Sequence, residues 1–109
     1  MEFRGLTIAG LFAVLASAAA PLLAEGDPAA GKNKTSMCAG CHGIPGFRAA
    51  YPETYQVPKL GGQNPGYIVA ALKAYKAGER NHATMKAVAS SLTEQDMADL
   101  AAYYADAGK

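Results

Sequence analysis

The chain has 109 residues and carries 10 Lys and Arg against 9 Asp and Glu, a formal net charge of +1. This balance excludes the strong basic excess of a typical nucleic-acid-binding domain. Half of the residues are hydrophobic and only 17% are charged, which excludes an acidic disordered tail. Two cysteines are too few for a multi-disulfide scaffold, so the composition predicts one small globular domain with a thin core.

The first 24 residues differ in composition from the rest of the chain. A short basic start is followed by nineteen uncharged residues rich in Leu, Ala and Phe. This layout predicts a secretory signal peptide over residues 1–24, cleaved after Ala24 or earlier, after Ala18 or Ala19. The alternative is a retained anchor, because roughly 20 apolar residues cross a bilayer. In both cases residues 25–109 form the folded domain, and we expect it in the periplasm.

The strongest motif is the C-x-x-C-H run formed by Cys38, Cys41 and His42. Two thiols at this spacing can add to the two vinyl groups of one haem. The histidine that follows them can then serve as an axial ligand, because neutral imidazole binds haem iron well. The sequence therefore predicts one covalently bound haem c.

Three other uses of the two cysteines fit less well. A thioredoxin-like pair would follow a β-strand, whereas residues 28–37 predict a helix with Asp27 as N-cap and Pro28 in its first position. A zinc site needs four ligands, and only His82 is available outside the motif. A plain disulfide would leave His42 without a role.

The second axial ligand has three candidates, Met85, Met97 and His82. Met97 falls on the apolar face of an amphipathic helix predicted over residues 93–105, so we assign it to the core. Met85 follows the polar, turn-forming run at 78–82, and we expect it at the lip of a loop as the distal ligand. His82 is expected to be an exposed loop histidine; its use as ligand would lower the redox potential relative to methionine.

The remaining patterns predict an all-α fold with three main helices and loops around one haem. The second helix begins with Asn64 as N-cap and Pro65 in its first position, and ends at Gly78. The third has Thr93 as N-cap with Asp96 three residues later, close to a capping box. No strand is predicted. Since the haem supplies much of the buried apolar surface, we expect the haem-free protein to be largely unfolded.

Residues 27–105 together resemble the class I c-type cytochromes, specifically the small bacterial periplasmic monohaem type. The resemblance is carried by the C-x-x-C-H motif, by Met85, by the Pro-x-Leu-x-Gly segment at 57–63 and by the helix over 92–104. It implies the class I cytochrome c fold.

The resemblance also implies roles for individual residues. The Pro58 carbonyl would accept a hydrogen bond from the ring nitrogen of His42 that is not on iron, which orients the ring. Leu60 would line the haem pocket. Gly31 would let the first helix cross closely against Tyr103.

The expected function is that of a monomeric electron carrier which shuttles single electrons between redox protein partners. No nucleic acid is expected among its partners. No catalytic acid, base and nucleophile can be assembled from the sequence, so we expect no enzyme activity of its own. The alternative is a haem subunit or ligand-binding module of a periplasmic redox enzyme. Contact with the membrane is expected only if residues 1–24 are retained.

Two features can contribute to recognition of those partners. The aromatic loop 44–57 contains Phe47, Tyr51, Pro52 and Tyr55, and forms either a packed flap over the haem or a contact surface. A basic group would steer acidic partners if it surrounds the haem edge, and is otherwise an ordinary solvated face. Its members are Lys59, Lys73, Lys76, Arg80 and Lys86.

Overall fold

A computed structural model describes residues 10, 25–50 and 54–107 of the chain. This part contains five helices: α1 (Pro28–Lys32), α2 (Ser36–His42), α3 (Pro65–Ala77), α4 (Ala83–Ser90) and α5 (Glu94–Ala107). None of them combines the length and the hydropathy that a membrane crossing requires. The predicted signal peptide lies outside the described residues, apart from residue 10.

The first and last helices cross at very short range. The Asp27 side chain accepts a hydrogen bond from the Ala29 N–H at 2.9 Å, so α1 begins at the predicted N-cap. A Cβ atom built at Gly31 would overlap the backbone of Asp99 and would lie 2.9 Å from the Cβ of Tyr103. Only glycine permits this approach, and α1 therefore packs directly on α5.

The single helix predicted over 28–37 is wrong, because the chain breaks between α1 and α2 at residues 33–35. The Thr35 hydroxyl donates to the Lys32 carbonyl at 3.0 Å, a local bond that competes with continuation of the helix. At the break, Lys34 extends to α5 and pairs with Asp99. A long-range ion pair is thus formed where local propensity favours an unbroken helix.

The predicted boundaries of α3 and α5 are reproduced by their capping bonds. The Asn64 side chain accepts from the Tyr67 N–H at 3.0 Å, and Gly78 ends α3 with a left-handed φ of 79°. At the start of α5, Thr93 Oγ1 accepts from the Asp96 N–H at 3.0 Å, while Asp96 accepts from the Thr93 N–H at 2.9 Å. These signals are local, which is why the sequence suffices to locate them.

Two further elements were not predicted. Helix α4 occupies residues expected to be loop, so Met85 lies in the first turn of a helix. A short antiparallel ladder joins β1 (Arg48–Ala49) to β2 (Tyr55–Gln56), with Arg48 opposite Gln56. Helix α4 was missed because it begins without a favoured capping residue. The ladder was missed because two residue pairs are too short to show the alternation of apolar and polar residues that marks a strand.

The core lies between α3, α4 and α5. Its buried apolar side chains are Ile68, Leu72, Ala89, Leu92, Met97, Leu100, Ala101 and Tyr104. Met97 is 1% exposed, which confirms its assignment to the core. Within the described part of the chain the fold is all-α except for the two-stranded ladder, and Cys38, Leu60 and Met85 pack at the edge of this core.

Candidate functional site

A cavity of about 390 Å³ lies beside the core, enclosed by all the helices except α1 and by the segment that follows β2. Most of its wall is apolar, and the chemically distinctive groups come from separate elements. Helix α2 provides Cys38, Cys41 and His42, the segment after β2 provides Pro58 and Leu60, and α4 provides Met85. The six residues predicted from the sequence therefore line one space.

The C-x-x-C-H motif lies on a helix rather than in an isolated turn. Residues three apart share one side of a helix, so Cys38 and Cys41 both line the cavity and both are free thiols. Burial raises the pKa of the Cys38 thiol. Thiols of C-x-x-C redox pairs have lowered pKa values instead, so this environment argues against a thioredoxin-like use.

The His42 ring is oriented by the backbone of the neighbouring segment. Its Nδ1 lies 2.7 Å from the Pro58 carbonyl oxygen. A carbonyl can only accept, so Nδ1 carries the proton and donates it, and the Nε2 lone pair remains available to a metal.

Met85 reaches the same cavity from α4. Its side chain is half-buried, and its backbone N–H donates to His82 Nδ1 at 3.2 Å. His82 also lines the cavity and is the N-cap of α4, not an exposed loop histidine. Met97 lies inside the core and is not among the residues that line the cavity.

The donor set fits a covalently attached haem. Two thiols, an imidazole with a free Nε2 and a thioether line a space with mainly apolar walls, and these are the groups that hold haem iron and its vinyl carbons. A zinc site is not supported, since no cluster of three or more His, Cys, Asp or Glu among the described residues could hold a metal ion.

The charges around the cavity have one sign. Among the described residues, Lys59 and Arg80 line it and no carboxylate does. The other three members of the predicted basic group, Lys73, Lys76 and Lys86, do not line the cavity. Lys73 forms a 3.3 Å salt bridge with Glu94, and Lys76 donates to the Leu92 carbonyl at 2.5 Å. The cationic side chains that line the cavity are therefore those of Lys59 and Arg80.

The sequence singled out His82 and Tyr55 but did not predict the contacts that these two residues make at the site. His82 is an uncommon capping residue, so its bond to Met85 is visible only in the structure. Tyr55 is part of the aromatic loop, and its ring meets His82 edge-on with centroids 4.7 Å apart. Tyr51 and Pro52 of that loop lie outside the described residues.

Comparisons with known proteins place this chain among haem proteins. The family model for cytochrome c matches residues 28–106. Cytochrome c-554(548) of Halomonas halodenitrificans is 43% identical over 82 residues, covering 72% of this chain and 94% of the relative.

Two further relatives differ in how much of their length is matched. Cytochrome c4 of Pseudomonas aeruginosa is 39% identical over 82 residues, covering 75% of this chain but only 39% of the relative. The cytochrome subunit of sulfide dehydrogenase of Chlorobaculum tepidum is 30% identical over 98 residues, covering 90% of this chain and 84% of the relative. The chain thus spans most of two of these relatives and about two fifths of the cytochrome c4.

Proposed function

Because this chain belongs to the cytochrome c family, we propose that it is a periplasmic monohaem carrier of single electrons. The chain has the all-α class I cytochrome c fold and its cofactor is covalently bound haem c, with Cys38 and Cys41 at the spacing of a C-x-x-C-H motif. When bound, the haem supplies a one-electron couple between Fe(II) and Fe(III). The sequence contains one such motif, which supports one haem per chain.

The observation that carries the proposal is that His42 and Met85 come from different helices and line one cavity together with both cysteines. We assign Cys38 and Cys41 to covalent attachment, and His42 and Met85 to the two axial positions. Methionine in the second position raises the redox potential relative to a second histidine.

Pro58 and Leu60 are proposed to complete the pocket. The Pro58 carbonyl holds the proton of His42 on Nδ1 and so leaves the Nε2 lone pair free for iron. Leu60 lines the cavity and packs against the core, which excludes water from that wall.

The same surroundings favour a carrier over an enzyme. Among the described lining residues no carboxylate is available as general acid or base, and the proposed bond to iron occupies the Nε2 lone pair of His42. With both proposed ligands retained in Fe(II) and Fe(III), little rearrangement accompanies gain or loss of an electron. The implied partners are redox proteins, and we propose that the carrier is monomeric.

Export is part of the proposal. Residues 1–24 would be removed as a signal peptide and residues 25–109 would form the cytochrome domain. The mass of the protein isolated from the periplasm of a haem-attaching host tests this. The expected mass is that of the processed chain plus one haem, whereas an unprocessed chain in the membrane fraction would indicate a retained anchor.

An optical redox titration tests the ligation. We expect a low-spin ferric spectrum with the weak far-red band of methionine sulfur on iron, and a positive midpoint potential. Met85→Ala should abolish the band, and Met97→Leu, which removes a methionine from the core, should keep it. A high-spin ferric wild type, or ready binding of carbon monoxide by the reduced protein, would overturn the carrier proposal.

A second candidate function is that of a haem subunit of a redox enzyme. It is favoured by the similarity to the cytochrome subunit of sulfide dehydrogenase, which extends over 90% of this chain. Sedimentation of the protein from its native cells separates the two: a carrier sediments as a monomer, and a subunit in a stable stoichiometric complex with a dehydrogenase.

A further inference from the structure

The imidazole of His82 lies where three segments of the chain meet. It is the last residue before α4, and its ring packs edge-on against Tyr55 of β2 with centroids 4.7 Å apart and planes at 89°. Tyr75 of α3 packs against the same ring at 6.3 Å. His82 is half-buried by these contacts, although the loop that precedes it is exposed.

The ring makes one directional bond, and that bond reaches Met85. His82 Nδ1 accepts the Met85 N–H at 3.2 Å, three residues ahead, which is the bond of an N-cap. An imidazole accepts only in the plane of its ring and only through an unprotonated nitrogen. The bond therefore requires that the ring be held in one orientation, and the T-shaped contact with the Tyr55 ring provides that restraint.

We propose that His82, held by Tyr55, is a positioning residue that keeps the Met85 thioether in place at the cavity. This inference rests on the proposed ligation by Met85. Loss of the cap frees the first turn of α4, which contains Met85, so the thioether leaves its position more often. His82 acts through that turn and supplies no ligand itself.

The arrangement also assigns a role to the aromatic loop. Two residues of one short segment, 55–58, are linked to the two proposed ligands: Tyr55 contacts the ring that caps the turn of Met85, and the Pro58 carbonyl accepts from His42. The ladder between β1 and β2 anchors this segment through the pairing of Tyr55 with Ala49. A disturbance of Tyr55 is therefore transmitted to the Met85 side of the cavity.

The test is a titration of the ferric holoprotein with imidazole, which binds iron only when the thioether has left. We expect His82→Ala to raise the apparent affinity for imidazole about fivefold, the factor that corresponds to an N-cap bond of about 1 kcal/mol. His82→Asn restores a capping oxygen and should stay within twofold of the wild type. Tyr55→Ala should also raise the affinity for imidazole, whereas Tyr55→Phe, which keeps the ring, should leave it unchanged.

A cap on another helix provides the matched control. Thr93→Ala removes an N-cap bond of the same spacing from α5, which carries no proposed ligand. It should lower the unfolding temperature without changing the affinity for imidazole. Tyr55→Ala should change the affinity for imidazole less in the His82→Ala background than in the wild type, because both changes act on one bond.

The outcomes separate this inference from the function on which it rests. If the wild type shows the methionine band, Met85→Ala loses it, and His82→Ala binds imidazole with wild-type affinity, the positioning role is overturned and the ligation stands. A fivefold effect of Thr93→Ala equal to that of His82→Ala would also overturn it, since global destabilisation would then suffice. A wild type without the band overturns both.

Discussion

The junction of α1 with α5 and the cavity wall formed by α2 differ in what holds them. At the junction Asp99 is 3% exposed, yet its carboxylate accepts from the Asp27 N–H at 2.9 Å, from Lys34 at 2.6 Å and from Gln95 at 2.8 Å. In α2, by contrast, no residue is buried and no side chain caps the N-terminus.

The difference indicates which part of the molecule needs its cofactor. A buried carboxylate with several donors, next to glycines in backbone contact, stabilises the junction through the protein alone. Helix α2 has seven residues, too few to persist without tertiary contacts. Its main restraints are the bond from His42 to Pro58 and the two proposed thioether links to haem.

Removal of covalent attachment is expected to have the largest effect. In Cys38→Ser/Cys41→Ser, the haem-depleted protein should lose most of its helical circular dichroism, because the cavity then lacks the apolar group that fills it. Hydrogen exchange of the backbone amides should show that the remaining protection lies at the crossing of α1 and α5. An apo form that is fully helical and melts cooperatively would contradict this, and Met85→Ala, which keeps both thioethers, is the control.

Truncation in the core is expected to rank second. Met97 is 1% exposed, and Met97→Ala should reduce the free energy of unfolding by about 2–5 kcal/mol, measured by denaturant titration of the holoprotein. The methionine band should persist, since Met97 does not line the cavity. Met97→Leu conserves the volume and should cost less than about 1.5 kcal/mol. Loss of the band in Met97→Ala under native conditions would show that core and site are not separable.

The carboxylates of the junction make stability depend on acid. Hydrogen bonds with Lys34 lower the pKa of Asp96 from 3.8 to about 2. The pKa of Asp99 is lowered chiefly by the backbone N–H of Asp27, then by Lys34. Because both pKa values are lower in the folded state, the stabilisation is fully present above the unfolded pKa near 3.8 and is lost as pH falls toward about 2.

Asp99→Asn tests this dependence. At pH 7 the free energy of unfolding of the variant should be about 2 kcal/mol lower than that of the wild type, because the charge-assisted bonds are lost. Thermal unfolding at a series of pH values should show the difference from the wild type narrowing as pH falls below the unfolded pKa near 3.8, where Asp99 takes up a proton and loses its charge. Glu79→Gln makes the same charge change at an exposed position and should be nearly silent. A pH-independent difference would show that shape, not charge, matters at position 99.

The smallest effect is expected from the charges beside the cavity. Lys59→Gln should slow oxidation of the ferrous protein by ferricyanide about twofold at low ionic strength, because a positive potential attracts the anion. Lys73→Gln is the matched control, because it makes the same charge change at a lysine that does not line the cavity. Stopped-flow rates over a range of salt concentrations measure both. An oxidation rate that does not change with ionic strength would exclude electrostatic steering.

The sequence by itself determined the features that depend on neighbouring residues. The C-x-x-C-H motif, the caps at Asp27, Asn64 and Thr93, and the left-handed end of α3 all follow from chemistry within a few positions. The core assignment of Met97 follows from helical period, which is likewise a local property. These features led to the all-α fold and to haem c.

Only the tertiary structure decided which distant groups meet. Lys34, at the break between α1 and α2, pairs with Asp99, 65 positions away, and Lys73 forms a salt bridge with Glu94. Tyr55 restrains His82, which in turn caps the turn of Met85. Such pairings depend on how the helices pack, and no local pattern encodes a partner that becomes a neighbour only after folding.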